Sequence, residues 1–185
     1  GGSANDDPYS IKQTPDGGYI ACGRSSSNDG DVTGNHGAND VWVVKLNSLG
    51  DIEWQKSLGG TNQDIPYSLK QTLDNGFIIA ATTQSNNGDV SGNHGAEDYW
   101  LVKLDSTGAI EWQKTLGGTG YDRTCGVVQA TNGDYIIAGD ADSNNGDVTN
   151  NHGGTDFWIV SLDSAGTINW QKTYGGGSSD YTHSI

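Results

Sequence analysis

The sequence predicts an all-β protein made of β-propeller-type blades. Two observations carry that prediction: a long internal repeat, and short apolar segments separated by turn residues within each copy. Trp54, Trp112 and Trp170 each begin a Trp-Gln-Lys triplet, at two successive intervals of 58 residues. A fixed period of this size is typical of architectures in which one supersecondary unit is copied and each copy packs against its neighbours.

The repeat divides the chain into three complete units and the beginning of a fourth. A Gly-Gly pair opens every unit, and an Asn-His-Gly triplet follows in each complete one. The first two copies agree at more than half of their positions without insertion or deletion, whereas the third differs most between Tyr121 and Ala130. The predicted blades are residues 1–58, 59–116 and 117–174, and residues 175–185 start a fourth.

Each unit is predicted to form an antiparallel meander of four strands. In the second unit the strands are expected at Tyr67–Thr72, Gly76–Ala81, Tyr99–Leu104 and Ile110–Leu116. The pair Asp74-Asn75 stands between the first two strands, and such pairs tolerate the positive φ of a tight hairpin turn. A long polar loop is expected between the second and third strands.

The pattern of each strand indicates how the sheets pack. The third strand is apolar without interruption in every unit (Val41–Val44, Tyr99–Val102 and Phe157–Val160), which predicts a strand covered on both faces. The fourth strand alternates, which predicts a half-exposed outer edge. Four-stranded sheets stacked face to face form a propeller. A β-solenoid is the alternative, and the hairpin turns disfavour it because solenoid coils give parallel sheets.

Three blades are too few to close a ring, because propellers have about four to eight. The outermost blades would expose faces that carry Trp and β-branched residues, and apolar patches of that size usually mean association. The sequence therefore predicts that self-association or further blades complete a ring. The partial unit 175–185 could add its strand to the open blade of a partner.

Composition excludes some classes of function. The net charge of −14 and the pI of about 4.2 argue against nucleic-acid binding, which depends on Lys and Arg at phosphates. The sequence has no apolar run of about 20 residues, so no membrane insertion is expected. Cys22 and Cys125 fall at different positions of the repeat, which predicts two buried, unpaired thiols rather than a disulfide.

The repeated motifs also carry a resemblance. The first unit reads Ser-Ile-Lys-Gln-Thr, then Asp-Gly-Asp-Val-Thr-Gly-Asn-His-Gly, then Val-Trp-Val-Val-Lys-Leu and Ile-Glu-Trp-Gln-Lys. This pattern resembles a repeat of large secreted bacterial proteins, many of which look like cargo of the type IX secretion system. The resemblance covers essentially the whole chain. It implies a propeller-like fold and a secreted or cell-surface location, and it implies no defined activity.

The long loop is the one candidate site that recurs, and its spacing is similar to that of a calcium-binding loop. In the first unit oxygen-bearing side chains fall at loop positions 1, 3, 5, 7 and 12, with Gly34 at position 6. Hard cations take several oxygen ligands, and the sharp turn requires glycine. The candidate Ca²⁺ ligands are Asp29, Asp31, Thr33, Asn35, Asp40, Asn87, Asp89, Ser91, Asn93, Asp98, Asn145, Asp147, Thr149, Asn151 and Asp156.

A second interpretation of the loop needs no metal. Asn, Asp, Ser, Thr and Gly are also the residues with which a tight loop hydrogen-bonds its own backbone, and the aspartate at position 12 could cap the loop before the third strand. A zinc or catalytic role for His36, His94 and His152 is disfavoured, because each unit supplies one such histidine with no second ligand nearby. Each histidine is instead expected to donate to a carbonyl of a neighbouring loop.

The sequence favours a non-catalytic binding or scaffold module, for example an adhesin segment with a carbohydrate or cell-surface ligand. Catalysis usually needs one asymmetric set of groups, whereas copied loops suit multivalent binding. Two alternatives stay open: a purely structural spacer in a giant surface protein, and an accessory propeller of an enzyme whose active site lies elsewhere.

Overall fold

A computed structural model describes residues 1–185, and it contains twelve β-strands and no helix. The first unit contains β1 (Asp6–Gln13), β2 (Tyr19–Ser25), β3 (Asp40–Leu46) and β4 (Ile52–Leu58). The second contains β5 (Asp64–Gln71), β6 (Phe77–Thr83), β7 (Asp98–Leu104) and β8 (Ile110–Leu116). The third contains β9 (Asp122–Gln129), β10 (Tyr135–Ala141), β11 (Asp156–Leu162) and β12 (Ile168–Tyr174).

The strands form three separate sheets, one for each unit, and we number them sheets 1, 2 and 3 in chain order. In each sheet the four strands lie side by side in sequence order, and all neighbouring strands are antiparallel. The prediction of an all-β chain with four antiparallel strands for each repeat is therefore confirmed. The turn prediction also holds, since Asn75 has a φ of 66° and the equivalent Gly17 and Gly133 are also left-handed.

The first strand of the second unit begins earlier than predicted. In sheet 2 it starts at Asp64 rather than Tyr67, and the second strand continues to Thr83 rather than ending at Ala81. The additional residues pair with each other, and a register shift between Pro66 and Ser68 separates these pairs from the rest of the two strands. Proline, which lacks a backbone N–H, is tolerated here because β5 is an edge strand. Asp64 and Pro66 are uncommon in strands, so the sequence did not predict this part of β5.

Two apolar cores lie between the sheets. The first joins sheets 1 and 2 and includes Val41, Val43 and Trp100, while the second joins sheets 2 and 3 and includes Tyr99 and Trp158. Adjacent residues of β7 point to opposite faces, so Trp100 enters the first core and Tyr99 the second. Sheet 2 is consequently covered on both sides, and every residue of β6 and β7 is buried.

The outer sheets do not share this double coverage. In β11 Phe157 is 36 % exposed, and in β3 Trp42 is half-buried. The prediction that all three third strands are covered on both faces is therefore met fully by β7 alone. The apolar pattern is the same in all three units, but only the middle unit has a neighbour on each side.

The sheets approach each other along their first strands. The principal backbone contacts between sheets all involve the first strand of the following sheet, which is β5 for sheet 1 and β9 for sheet 2. The three first strands also contact one another in succession, β1 with β5 and β5 with β9. The first strands therefore converge along one side of the stack.

Both cysteines are free thiols, as predicted. Cys22 lies in the core between sheets 1 and 2, where burial raises its pKa to about 12. Cys125 is only half-buried, so the prediction of a buried thiol was wrong at this position. It lies on β9, which is an edge strand of sheet 3.

Candidate functional site

The long loop between the second and third strands keeps one set of internal hydrogen bonds in all three units. In the first unit Asn35 donates through Nδ2 to the carbonyl oxygen of Ser25 at 2.8 Å, and its Oδ1 accepts from the amide of Gly37 at 2.9 Å. Asn93 and Asn151 make the corresponding bonds. This asparagine therefore ties the loop back to the end of the second strand, which explains why the residue recurs.

A histidine and an aspartate close each loop before the third strand. Oδ2 of Asp40 accepts the backbone amide of His36 at 2.9 Å and lies 2.7 Å from Nδ1 of the same histidine. Asp98 and Asp156 hold His94 and His152 in the same way. The aspartate is thus the predicted cap. The histidine contacts this carboxylate of its own loop, so the prediction of a neighbouring loop's carbonyl was wrong.

Each capping aspartate is buried and carries one oxygen without a partner. Asp40, Asp98 and Asp156 have no exposed surface, and Oδ1 of each has no hydrogen-bond donor. Burial raises the pKa of Asp40 and of Asp98, although the bonds from their histidines oppose that rise. The charged form is disfavoured because a buried carboxylate loses its hydration.

A second buried aspartate lies beside the first one, at the start of the next unit. Asp64 accepts from the amide of Gly60 at 2.7 Å and from the hydroxyl of Ser85 at 2.9 Å, and it also bonds Thr83. A Cβ placed on Gly59 would lie 2.7 Å from Oδ2 of Asp64 and 2.8 Å from Oδ1 of Asp40. The two carboxylates therefore flank one glycine at the junction between sheets 1 and 2.

This junction recurs, and sequence analysis missed it. Asp122 accepts from the amide of Gly118 at 2.7 Å, and Gly117 stands between Asp122 and Asp98. Burial raises the pKa of Asp64 and of Asp122 to about 6, although the hydrogen bonds that both accept oppose the rise. An aspartate stands at this position in all four units (Asp6, Asp64, Asp122 and Asp180), and that recurrence was the available signal.

The predicted calcium ligands are directed to different partners. In the second unit Asn87, at position 1, accepts from the amide of Thr61, and Asp89, at position 3, accepts from the amide of Gly59. Ser91, at position 5, accepts from the side-chain amide of Gln113. Asn93 and Asp98 make the bonds described above. All fifteen predicted ligands of the three loops have a hydrogen-bond partner within the protein. No group of three or more His, Cys, Asp or Glu side chains is arranged to hold a metal ion. Calcium binding stays a prediction.

The loops do form a groove at each junction between sheets. The groove between sheets 1 and 2 has a volume of 460 Å³, and the groove between sheets 2 and 3 has a volume of 270 Å³. Equivalent residues line them. The shared pairs are Thr33 and Ser91, Gly34 and Gly92, His36 and His94, Gln55 and Gln113, Lys56 and Lys114, Ser57 and Thr115, and Asp89 and Asp147.

Each groove combines groups of several kinds at one place. An imidazole, an amide, a hydroxyl and an ammonium group come from one unit, and a carboxylate comes from the next. In the first groove Nε2 of His36 lies 4.0 Å from Oδ2 of Asp89 across the junction. The groove therefore offers hydrogen-bond donors and hydrogen-bond acceptors, and it contains both a positively and a negatively charged group. It is formed by two successive units, so a single repeat cannot make it.

Comparisons with known proteins add little to this picture. The sequence matches no protein-family model, and no curated protein sequence matches it significantly. A protein of unknown function from Bacteroides caccae, solved by crystallography at 1.35 Å, is similar in structure with a TM-score of 0.49 and 11 % sequence identity. The similarity covers 92 % of this chain, which spans only 62 % of that protein's chain. No helix here has the length and apolar character needed to cross a membrane.

Proposed function

We propose that the chain is a non-catalytic binding or scaffold module made of propeller-type blades, and that it binds its ligand through the grooves between successive sheets. One observation carries this proposal: the two grooves are lined by the same seven positions of the repeat. A site that is copied with its unit suits a ligand that also repeats, because linked weak sites gain avidity.

The propeller-type arrangement is supported by the way the sheets stack. Their faces pack against each other through two apolar cores, and their first strands converge along one side. Blades of a propeller pack face to face around a central channel in this manner. The repeat spacing of 58 residues adds a sheet of the same shape each time.

The chemistry of the grooves favours a polyhydroxylated ligand, such as a carbohydrate chain at a cell surface. Hydroxyl groups both donate and accept hydrogen bonds, so they suit a groove that offers Gln55, Lys56 and Asp89 together. The resemblance to secreted bacterial repeats supports an extracellular or cell-surface location.

Binding of the labelled chain to an array of immobilised glycans tests this function. We expect His94→Ala and His36→Ala each to lower apparent affinity for a bound glycan about 10- to 100-fold, because avidity is lost when one of two linked sites fails. His183→Ala is the matched control, since His183 is exposed and lines neither groove. Absence of binding across the array, or binding that is indifferent to both groove variants, would overturn the proposal.

A further inference from the structure

The two ends of the stack present complementary apolar faces. We call the side of a sheet that packs on the following sheet its forward face, and the opposite side its rear face. In sheet 3 the forward face has no following sheet, and its apolar positions are exposed or half-buried. They are Ile136, Phe157, Ile159 and Tyr174, equivalent to the buried Ile78, Tyr99, Leu101 and Leu116 of sheet 2.

The rear face of sheet 1 is open in the same way. Its apolar positions, Ile11, Tyr19, Trp42 and Leu46, are exposed or half-buried. The equivalent residues of sheet 2 lie in the core against sheet 1; they are Leu69, Phe77, Trp100 and Leu104. The surface that covers a forward face elsewhere in this chain is therefore a rear face of the same kind.

A tryptophan and a glycine make this complementarity specific. Trp54 of the first unit packs on Gly108 of the second, where a Cβ on the glycine would lie 3.0 Å from the indole ring. Trp112 covers Gly166 of the third unit in the same way, at 3.2 Å. At the two ends the pair is separated: Trp170 is 44 % exposed, and a Cβ placed on Gly50 would meet no atom within 4 Å.

Residues 175–185 mark where the next unit would sit. The amide of Asp180 donates to the carbonyl of Thr155 at 2.6 Å, as Asp64 and Asp122 do to the preceding units. Thr182 donates through its amide to Asp140 at 2.6 Å and through its hydroxyl to the carbonyl of Gly139 at 3.0 Å. Sheet 3 therefore already presents the position on which the first strand of a following unit would pack, and residues 175–185 occupy that position.

We propose that two copies of this chain associate head to tail, with the forward face of sheet 3 in each copy on the rear face of sheet 1 in the other, so that six sheets close one ring. This inference rests on the propeller-type stacking proposed above. On association, residues 175–185 leave this position on sheet 3, and β1 of the second copy replaces them there. Trp170 then packs on Gly50 and Tyr19 of that copy, just as Trp54 packs on Gly108 and Phe77.

The second copy also completes a binding groove. Thr149, His152, Gln171 and Lys172 are equivalent to the residues that line the first two grooves, but no following unit supplies the carboxylate. Asp31 of the second copy occupies the position equivalent to Asp89 and Asp147. The ring therefore has six grooves, two within each chain and two that need residues of both copies.

Light scattering across a concentration series of the intact 185-residue chain, without glycan, tests the ring. We expect a limiting mass of twice the 19.4 kDa chain. Trp170→Glu is expected to weaken association at least about 30-fold, since central aromatic residues dominate such interfaces. Leu73→Glu is the control, because Leu73 is 72 % exposed on a turn of sheet 2 and lies on neither open face. Asp180→Ala, which removes the bond from Gly176, is expected to favour the dimer.

The outcomes separate this inference from the proposed function. A monomer at every concentration, a mass that grows without limit, or a dimer indifferent to Trp170→Glu would overturn the ring. Thermal unfolding of each variant confirms that the mass refers to folded protein. His36→Ala changes a groove residue that lies on neither open face, so it is expected to leave the mass unchanged. Glycan binding by a monomer would leave the proposed function standing while the ring fails.

Discussion

Sheets 2 and 3 are formed by copies of one repeat, yet they differ in a polar residue of the third strand and in the side chains that surround it. In sheet 2 Lys103 is 2 % exposed at its side chain, and its ammonium group lies 3.0 Å from Asp74 and 2.7 Å from Glu111. Sheet 1 has the same set, whereas sheet 3 has Ser161, Asn132 and Asn169 in these places. All three charges have been replaced together, as expected if one ion left without its partners is costly.

The two sheets also differ in what covers them. Tyr99 of sheet 2 is fully buried, with its ring 4.7 Å from that of Trp158 and its hydroxyl donating to a backbone carbonyl at 3.1 Å. Phe157, at the same position of sheet 3, is 36 % exposed. Equivalent residues therefore differ in energetic weight because of their neighbours, and not because of their own strand.

The largest expected effect is at this pair of aromatic residues. We expect Tyr99→Ala to cost about 3–5 kcal/mol of unfolding free energy, as is typical when a large aromatic side chain is removed from a core. Phe157→Ala is expected to cost about 1–2 kcal/mol, because much of its ring already contacts water. Urea unfolding of both variants at a low protein concentration, where the chain is monomeric, measures the difference. Equal costs would contradict the dependence on neighbours.

The buried ion set offers the next largest effect. Lys103→Ser introduces the residue of sheet 3 and leaves Asp74 and Glu111 without their cation. We expect a loss of roughly 3 kcal/mol, near the lower end of the range for breaking a buried pair, because both carboxylates still reach water. Urea unfolding again gives the value.

The control for this change is the complete exchange. Replacing Lys103, Asp74 and Glu111 together by Ser, Asn and Asn reproduces the arrangement of sheet 3, and we expect it to recover most of the lost stability. The coupling between the sites is the difference between the triple change and the sum of the single ones. If the triple variant were as unstable as the sum of its parts, the ions would not act as one set.

Most of the fold could be predicted from the sequence, because the repeat and the alternation of apolar residues are local signals. The bounds of β8 agree with the prediction, and β7 differs by the single residue Asp98. The start of β5 was missed because Asp64 and Pro66 are poor strand formers in isolation. What covers each sheet depends on the neighbouring unit, and no pattern within one repeat records it.

The site was less predictable for the same reason. Loop spacing placed Asp89 and Asp98 in one calcium-like series, but the fold directs them to different partners. The grooves combine His36 and Asp89 from successive units, and a sequence pattern that treats each unit alone cannot find such a pair. Recurrence in the sequence identified the residues that form the loops, but only the stacking of the sheets shows which groups those residues contact.

The smallest expected effect is a dependence of stability on pH. It distinguishes the aspartates at the two enclosed junctions between sheets from the equivalent aspartate near the end of the chain. Asp64 and Asp122 are fully buried, and their pKa values are raised from 3.8 to about 6, whereas Asp180 is exposed. Between these pKa values the folded chain binds more protons than the unfolded chain, so stability rises as pH falls. From pH 7 to pH 5 we expect a gain of about 1 kcal/mol for each enclosed site.

Thermal unfolding at pH 7 and pH 5 measures this gain as a rise in Tm of several degrees, since about 1 kcal/mol corresponds to 2–4 °C in a chain of this size. Asp64→Asn and Asp122→Asn each remove one titrating group, so each is expected to lower the rise by the contribution of one site. Asp180→Asn is the matched control and is expected to leave it intact. A Tm that falls between pH 7 and pH 5 in the native chain would mean that both carboxylates are stabilised in their charged form. The hydrogen bonds from Gly60 and Gly118 would then outweigh the loss of hydration on burial.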